Sequence, residues 1–177
     1  MLLFFEGIMS KKIMEKSSTL VIEFTIYSFI GWVYETVLTW AVLGYFVDRG
    51  MLHLPICPIY GFCALALLLI FHKIKSVPVI FVLGTVLTTG AELAASYVLE
   101  WFTDERLWDY ADWKFNFQGR IAPGSSLIFG VLCVILMKLL HPAAVHIFDK
   151  ISGRKIKIAA AVILVVIIAD FAAVVFS

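Results

Sequence analysis

The sequence predicts an all-α integral membrane protein: a small polytopic bundle of about five transmembrane helices, with a short N-terminal interfacial helix and a long aromatic extracytoplasmic loop. Of its 177 residues, 62% are hydrophobic and only 15% are charged, and the mean hydropathy is +1.00. These values lie far outside the range of soluble globular domains. The composition therefore excludes a soluble enzyme, and no basic tract indicates a nucleic-acid partner.

Five apolar runs are predicted to span the bilayer, because a helix needs ~20 apolar residues to cross the hydrocarbon core. They cover residues 19–46, 56–71, 77–101, 126–140 and 158–176. Lys138 and Pro142 interrupt the fourth run, so we expect its helix to leave the hydrocarbon there. Gly153 breaks the chain before the last run. Residues 18–177 are thus predicted to form one transmembrane domain, with an outer loop at 102–125.

Residues 1–17 are predicted to form a short helix on the membrane surface. Leu2, Phe5, Met9 and Ile13 recur at three- and four-residue spacing, while lysines occupy other positions. Such a pattern is typical of a helix that lies on anionic lipid. The segment lacks the basic start of a signal peptide. A frayed tail, or translation from a later methionine, is the alternative interpretation.

Basic residues near the span ends predict the orientation in the membrane. Lys11, Lys12, Lys16, Lys73, Lys75, Lys150, Arg154, Lys155 and Lys157 fall on one side, against Arg49, Arg106, Lys114 and Arg120 on the other. Cytoplasmic loops carry the excess of lysine and arginine. We therefore expect a multi-pass protein of the plasma (cytoplasmic) membrane, with its N-terminus in the cytoplasm and, after five spans, its C-terminus outside.

Acidic residues inside the spans are the first candidate functional groups. Glu35, Glu92 and Asp170 fall at a similar depth, where a carboxylate costs about 3 kcal/mol unless it faces the bundle interior. Two polar stripes at helical spacing support an inward face: Glu23, Tyr27, Gly31 and Glu35 in the first span, and Thr85, Thr89, Glu92, Ser96 and Glu100 in the third. Two stripes predict a shared polar cleft. The alternative is that these groups only bond one helix to another.

The segment Trp108–Arg120 concentrates aromatic, charged and amide side chains in an otherwise apolar chain. Aromatic rings favour the headgroup level of a membrane, so this loop is predicted to fold back over the outer mouth of the bundle. Arg49 and Arg120 lie near outer span ends and are suited to bind a phosphate or carboxylate with two hydrogen bonds. Pairing with a nearby aspartate, such as Asp48 or Asp109, is the alternative.

The entry to the second run is predicted to be irregular. Pro55 and Pro58 interfere with a regular helical start and indicate the rim of a vestibule, where Tyr60 follows. His53 and Cys57 flank a proline, which removes any assured helical geometry for Cys–His catalysis. The three cysteines contain no CxxC pair and are interpreted as packing residues. No metal site and no cofactor is predicted.

Several short motifs, taken in order, resemble one family. They are Tyr27-Ser28-Phe29-Ile30-Gly31-Trp32 with Glu35, then Arg49-Gly50, Pro58-Ile59-Tyr60-Gly61, Glu92, Trp108-Asp109-Tyr110, and Asn116 with Gly119-Arg120. The set resembles the CmpB-like family of ABC-transporter permeases called type IV, which also takes in the vertebrate transmembrane protein 229. The family pattern usually has Asn at position 48, Ser at 111 and Ile-Cys-Leu at 121–123, where this chain has Asp48, Ala111 and Ile121-Ala122-Pro123. The resemblance implies a small multi-pass bundle and carries over no activity.

The first functional hypothesis is an outward-facing polar pocket that binds a lipid headgroup or lipid-linked substrate and modifies it by group transfer or hydrolysis. Glu35 or Glu92 would be the acid/base group. The predicted binding residues are Arg49, Arg120, Asp109, Tyr110, Asn116, Tyr60 and Trp108. The arginines would hold a phosphate or a developing oxyanion, and Asp109 and Asn116 would orient them.

The second hypothesis is the membrane component of a transporter, in which the embedded acids form a cation or proton site and the loop is an outer gate. The chain lacks the Gly-x-x-x-x-Gly-Lys-Ser/Thr motif, so ATP hydrolysis would require an ATPase subunit. Five spans are few for a complete carrier, which would then require a homo-oligomer. The third hypothesis is a structural membrane protein. Membrane lipids are the partners expected under every hypothesis.

Overall fold

The secondary-structure elements of the described chain are helices, joined by loops that contain one isolated bridge between Phe117 and Ile121. The structure is a computed structural model that describes every residue except Met1, Asp48, Arg49 and Ser177, and describes residues 2–15 and Val42 by their backbone only. The helices are α1 (Leu2–Leu43), α2 (Pro58–Phe71), α3 (Val77–Thr103), α4 (Pro123–Ile135), a π-helical turn (Leu136–Leu140), α5 (His141–Phe148) and α6 (Gly153–Phe176). The predicted all-α fold class is confirmed.

Four helical stretches are long and apolar enough to cross a membrane. They are Lys16–Ala41, Val77–Thr103, Pro123–Phe148 and Gly153–Phe176. They correspond to the first, third, fourth and fifth predicted spans, and the protein is a multi-pass membrane protein. Helix α2 matches the second predicted run but has only 14 residues, about 21 Å against a core of about 30 Å. The number of complete crossings, and the side of the C-terminus, stay predictions.

Helix α1 is continuous and takes in both the predicted interfacial segment and the first predicted span. It ends at Leu43, a few residues before the predicted boundary. Gly44 follows with a φ of 77°, and its N–H donates to the carbonyl oxygen of Trp40 at 2.8 Å. Glycine adopts this left-handed conformation without a steric penalty, which explains why the helix stops here. The position of residues 1–17 on the membrane surface stays a prediction.

The fourth predicted span continues beyond its expected end at residue 140. Proline has no N–H to donate to the preceding turn, so Pro142 was expected to interrupt the helix. The π-helical turn accommodates it: the N–H of His141 bonds to the carbonyl oxygen of Leu136, five residues earlier. Such a turn inserts one extra residue into the helical ladder. The chain therefore remains helical from Pro123 to Phe148.

Two compact units make up the chain. The first comprises Met1–Leu65 and Ala143–Ser177, and in it α1 packs against α6. The second comprises Ala66–Pro142, and in it α3 packs against α4. Small residues allow this close approach, because a Cβ atom on Gly84 would lie only 2.7 Å from the Cβ of Cys133. Residues 104–122, called the loop below, connect α3 to α4 within the second unit.

In the first unit, glycines bring the start of α2 against α1. A Cβ atom added to Gly31 would overlap the ring of Tyr60, and one added to Gly61 would overlap the Ser28 hydroxyl. The backbone N–H of Cys57 donates to the carbonyl oxygen of Ser28 at 3.0 Å. These contacts place Tyr60 beside the polar face of α1.

Candidate functional site

A buried stripe runs along α3 at four-residue spacing. It consists of Ile80, Gly84, Thr88, Glu92 and Ser96. Glu92 and Ser96 are each 7% exposed and lie on the predicted polar face. Thr85 and Thr89 lie beside the stripe, and the Thr89 hydroxyl donates to the Thr85 carbonyl oxygen at 2.7 Å. The buried threonine is Thr88, which the sequence analysis did not select. The stripe therefore carries one carboxylate well inside a candidate span.

The loop has an internal framework that Asn116 organises. Its amide nitrogen donates to the carbonyl oxygens of Ala111 at 3.0 Å and Trp113 at 2.9 Å. Its amide oxygen accepts the N–H of Gly119 at 2.8 Å. Asp109 accepts the N–H of Ala111 at 2.8 Å in a local turn. Asp109 and Asn116 thus hold the loop backbone, and their predicted contact with a substrate stays a prediction.

Two tyrosine hydroxyls bond the loop to α3. The Tyr110 hydroxyl of the loop donates to Glu92 Oε1 at 2.8 Å, and the Tyr97 hydroxyl of α3 donates to Gln118 Oε1. Within the loop, the Trp108 indole N–H donates to the carbonyl oxygen of Arg120 at 3.0 Å. A hydroxyl that bonds to a buried carboxylate makes a charge-assisted contact of about 1.5–3 kcal/mol. The loop is therefore packed against the helix instead of extending away from it.

Arg120 is the most deeply buried basic side chain of this arrangement. It is 6% exposed, and its guanidinium carbon lies 3.9 Å from the centre of the Tyr97 ring. One terminal nitrogen donates to Ser96 Oγ at 2.8 Å, and the other pairs with Glu100. Its Nε–H is buried without a hydrogen-bond acceptor among the described residues. The partners of Arg120 on α3 are thus Ser96 and Glu100.

Glu100 is shared by a second arginine that the sequence analysis did not select. Arg106 Nε lies 3.1 Å from Glu100 Oε1, and a terminal nitrogen of Arg106 donates to the Gln118 carbonyl oxygen at 3.3 Å. The chain can return to Glu100 because Asp104 ends α3 with a left-handed φ of 55°. The sequence could have indicated this pair, because Glu100 and Arg106 are close in sequence on either side of the end of α3. Two guanidinium groups therefore flank one carboxylate.

In the first unit, Glu35 accepts a hydrogen bond from a tyrosine hydroxyl, as Glu92 does in the second unit. The Tyr60 hydroxyl donates to Glu35 Oε1. Glu23 and Tyr27, which share the predicted stripe, are 5% and 3% exposed. The shared cleft with the stripe of α3 stays a prediction. Arg49, the remaining predicted binding residue, lies outside the described residues.

Asp170 has its partners in the segment that follows α1. Its carboxylate accepts the backbone N–H of Leu54 at 3.0 Å, and its other oxygen lies 3.0 Å from His53 Nδ1. Asp170, near the end of α6, thus bonds to the segment that connects α1 to α2. The acid could be predicted from the sequence but these partners could not, because they lie more than a hundred residues away along the chain.

Metal ligands are not clustered in the part of the chain that the structure describes. No three or more histidine, cysteine, aspartate or glutamate side chains there are arranged to hold an ion. Cys57 and Cys133 are buried free thiols, and Cys63 is half-buried. The functional groups of the site are therefore carboxylates, tyrosine hydroxyls and guanidinium groups.

Comparison with known proteins identifies the family. No curated protein and no solved structure matches the chain significantly. A family model does match, over residues 22–175, which extends from α1 to the last turn of α6. The family is described as Putative ABC-transporter type IV, the CmpB group that the sequence motifs resembled. This multi-pass membrane protein therefore belongs to the Putative ABC-transporter type IV family.

Proposed function

We propose that the protein binds the headgroup of a membrane lipid, or of a lipid-linked substrate, where the loop covers the carboxyl end of α3. The observation that carries this proposal is a pair of guanidinium groups that share one carboxylate, with exposed aromatic rings close to them in sequence. Arg120 and Arg106 meet at Glu100, while Trp101 and Phe115 nearby in the chain are 78% and 88% exposed. Aromatic side chains favour the headgroup level of a bilayer. Guanidinium groups at that level of the bilayer are suited to bind a lipid headgroup.

The excess of basic residues on the opposite side of the spans supports an outward orientation for this site. Its lipid would then come from the outer leaflet of the plasma membrane. Acyl-CoA and ATP are cytoplasmic, and neither fits a site with this orientation.

Glu92 supports an extension of the proposal to chemical modification of the headgroup. Its carboxylate is 7% exposed and accepts the Tyr110 hydroxyl at 2.8 Å, which positions a candidate acid/base group beneath the loop. Incubation of the protein with lipid extract, followed by mass spectrometry, tests this extension. We expect a changed lipid profile that Glu92→Gln abolishes and the exposed control Glu105→Gln retains. Identical profiles for wild type and Glu92→Gln would remove the catalytic version.

Lipid retention tests the binding proposal itself. Protein purified in mild detergent is expected to keep a defined lipid, which mass spectrometry of the intact complex detects. Asn116→Ala removes three hydrogen bonds inside the loop and should release that lipid, whereas exposed Asp112→Asn should keep it. Wild-type protein without bound lipid, or equal retention in both variants, would refute the proposal.

A transport role is the second candidate, and the family description together with the embedded Glu92 favours it. Glu92 would form a cation or proton site, and Tyr110 would close it from the loop side. The absence of a phosphate-binding loop in this sequence requires a separate ATPase subunit, and the few spans require a homo-oligomer. Solute or proton flux in liposomes, with and without a copurified ATPase, tests this role.

A purely structural role is the remaining alternative. It predicts that Glu35→Gln, Glu92→Gln and Arg120→Ala lower the stability of the protein and cause no separate loss of function.

A further inference from the structure

We propose that this site selects lipids whose phosphodiester headgroup carries a net negative charge, and that Arg106 exchanges its contact with Glu100 for the phosphate. The inference rests on the proposed headgroup site and names both its ligand class and a binding residue. It depends on the charges of Glu100, Arg106 and Arg120, on the unequal burial of the two arginines, and on the buried Nε–H of Arg120.

The three ion-paired side chains, Glu100, Arg106 and Arg120, carry one positive charge in excess. Glu100 uses one oxygen for Arg106 and the other for Arg120. Among the described residues, neither arginine makes another ion pair. The nearest acids along the chain, Asp104 and Glu105, are exposed, where water and salt screen them. A singly charged phosphodiester would neutralise the cluster, whereas a zwitterionic or uncharged headgroup would not.

The two arginines differ in their freedom to bind a ligand. The Arg120 side chain is 7% exposed and is held by Ser96, Glu100 and the Tyr97 ring. The Arg106 side chain is 42% exposed, and its contacts are a 3.1 Å bond to Glu100 and a 3.3 Å bond to a loop carbonyl. A guanidinium at a surface can turn from a carboxylate to a phosphate with little reorganisation, because both accept the same paired donors.

Arg120 supplies the independent observation that points to a ligand. Its Nε–H is buried and has no hydrogen-bond acceptor in the described part of the chain. Buried donors are nearly always satisfied, and an exception calls for a partner that completes the site. A phosphate oxygen that enters beside Glu100 would be an acceptor for this donor. Arg120 would then anchor the headgroup while Arg106 closes on it.

Glu100 competes with the ligand in this arrangement. Its carboxylate is 34% exposed and holds the negative charge that a phosphate would otherwise supply to both arginines. Removal of that charge should therefore strengthen the binding of anionic lipid. Removal of the Arg106 charge should weaken it.

The test measures lipid affinity by mass spectrometry of the intact protein in detergent, with phosphatidylglycerol, phosphatidylcholine and uncharged diacylglycerol as probes. We expect wild type to prefer phosphatidylglycerol. Arg106→Gln should lower that affinity about tenfold or more, because one charge-assisted contact is lost. Glu100→Gln should raise it, and the exposed controls Lys114→Gln and Glu105→Gln should leave it unchanged. Thermal unfolding of each variant verifies that it is folded.

The possible outcomes separate the two proposals. Wild type that binds phosphatidylglycerol and phosphatidylcholine equally and both above diacylglycerol, or a preference that Arg106→Gln leaves intact, overturns this inference while headgroup binding stands. Wild type that binds all three lipids equally, or none of them, refutes headgroup binding itself. Soluble glycerophosphoglycerol, the headgroup without acyl chains, forms a further arm. Its binding at the affinity of the lipid would show a site for free phosphodiesters and overturn the lipid assignment.

Discussion

Tyr110→Phe should release the loop from α3 without a change in the shape of the side chain. The substitution removes the hydroxyl that lies 2.8 Å from Glu92 Oε1 and leaves a carboxylate that is 7% exposed with one donor fewer. A hydrogen bond to a charged group contributes about 1.5–3 kcal/mol. At about 1.4 kcal/mol per factor of ten, the opening equilibrium of the loop should rise about ten- to a hundredfold.

Hydrogen exchange of the loop amides measures this opening. The N–H groups of Tyr110, Trp113 and Gly119 bond within the loop, so they should exchange faster in Tyr110→Phe by that factor. Tyr45→Phe is the matched control, because Tyr45 is 61% exposed. A double-mutant cycle with Glu92→Gln should give a coupling energy of about 1 kcal/mol or more. Equal exchange in Tyr110→Phe and the control, with no coupling, would refute the role of this contact.

Two further predictions concern packing and polar contacts in the first unit. Gly61→Ala should lower the free energy of unfolding by about 1–3 kcal/mol, because the added Cβ would overlap two side chains of α1; Gly90→Ala, where the Cβ meets nothing within 4 Å, should not. Asp170→Ala leaves the Leu54 N–H without its acceptor and should lower the thermal midpoint, whereas exposed Asp149→Ala should not. Thermal unfolding in detergent measures both, and equal midpoints within either pair would contradict the packing described.

The helical fold could be predicted because hydrocarbon imposes strong constraints on the chain. Every backbone group inside a bilayer needs an internal partner, so long apolar runs become helices. The second run was less predictable, because its apolar composition is typical of a span although the run is short, and its helix begins only at Pro58 and has 14 residues. The continuation past Pro142 could not be predicted either, because the π-helical turn depends on local backbone geometry that composition does not encode.

The polar face of α3 was also predictable, but its partners were not. Four-residue spacing places Glu92 and Ser96 on one side of a helix whatever the remainder of the chain does. Tyr110 and Arg120 reach that face through the loop, whose path depends on the left-handed turn at Asp104 and the bonds of Asn116. Arg120 could be selected from its place near the start of a span, whereas Arg106 could not, because an arginine exposed to water after a helix end pairs weakly with most carboxylates.

The most direct test of this account is a density map of the protein in a lipid nanodisc that contains phosphatidylglycerol. The account predicts a headgroup at the carboxyl end of α3, with its phosphate within hydrogen-bonding distance of Arg106 and Arg120. Ordered lipids around the spans, with only water beside these two arginines and Arg106 still paired to Glu100, would contradict it.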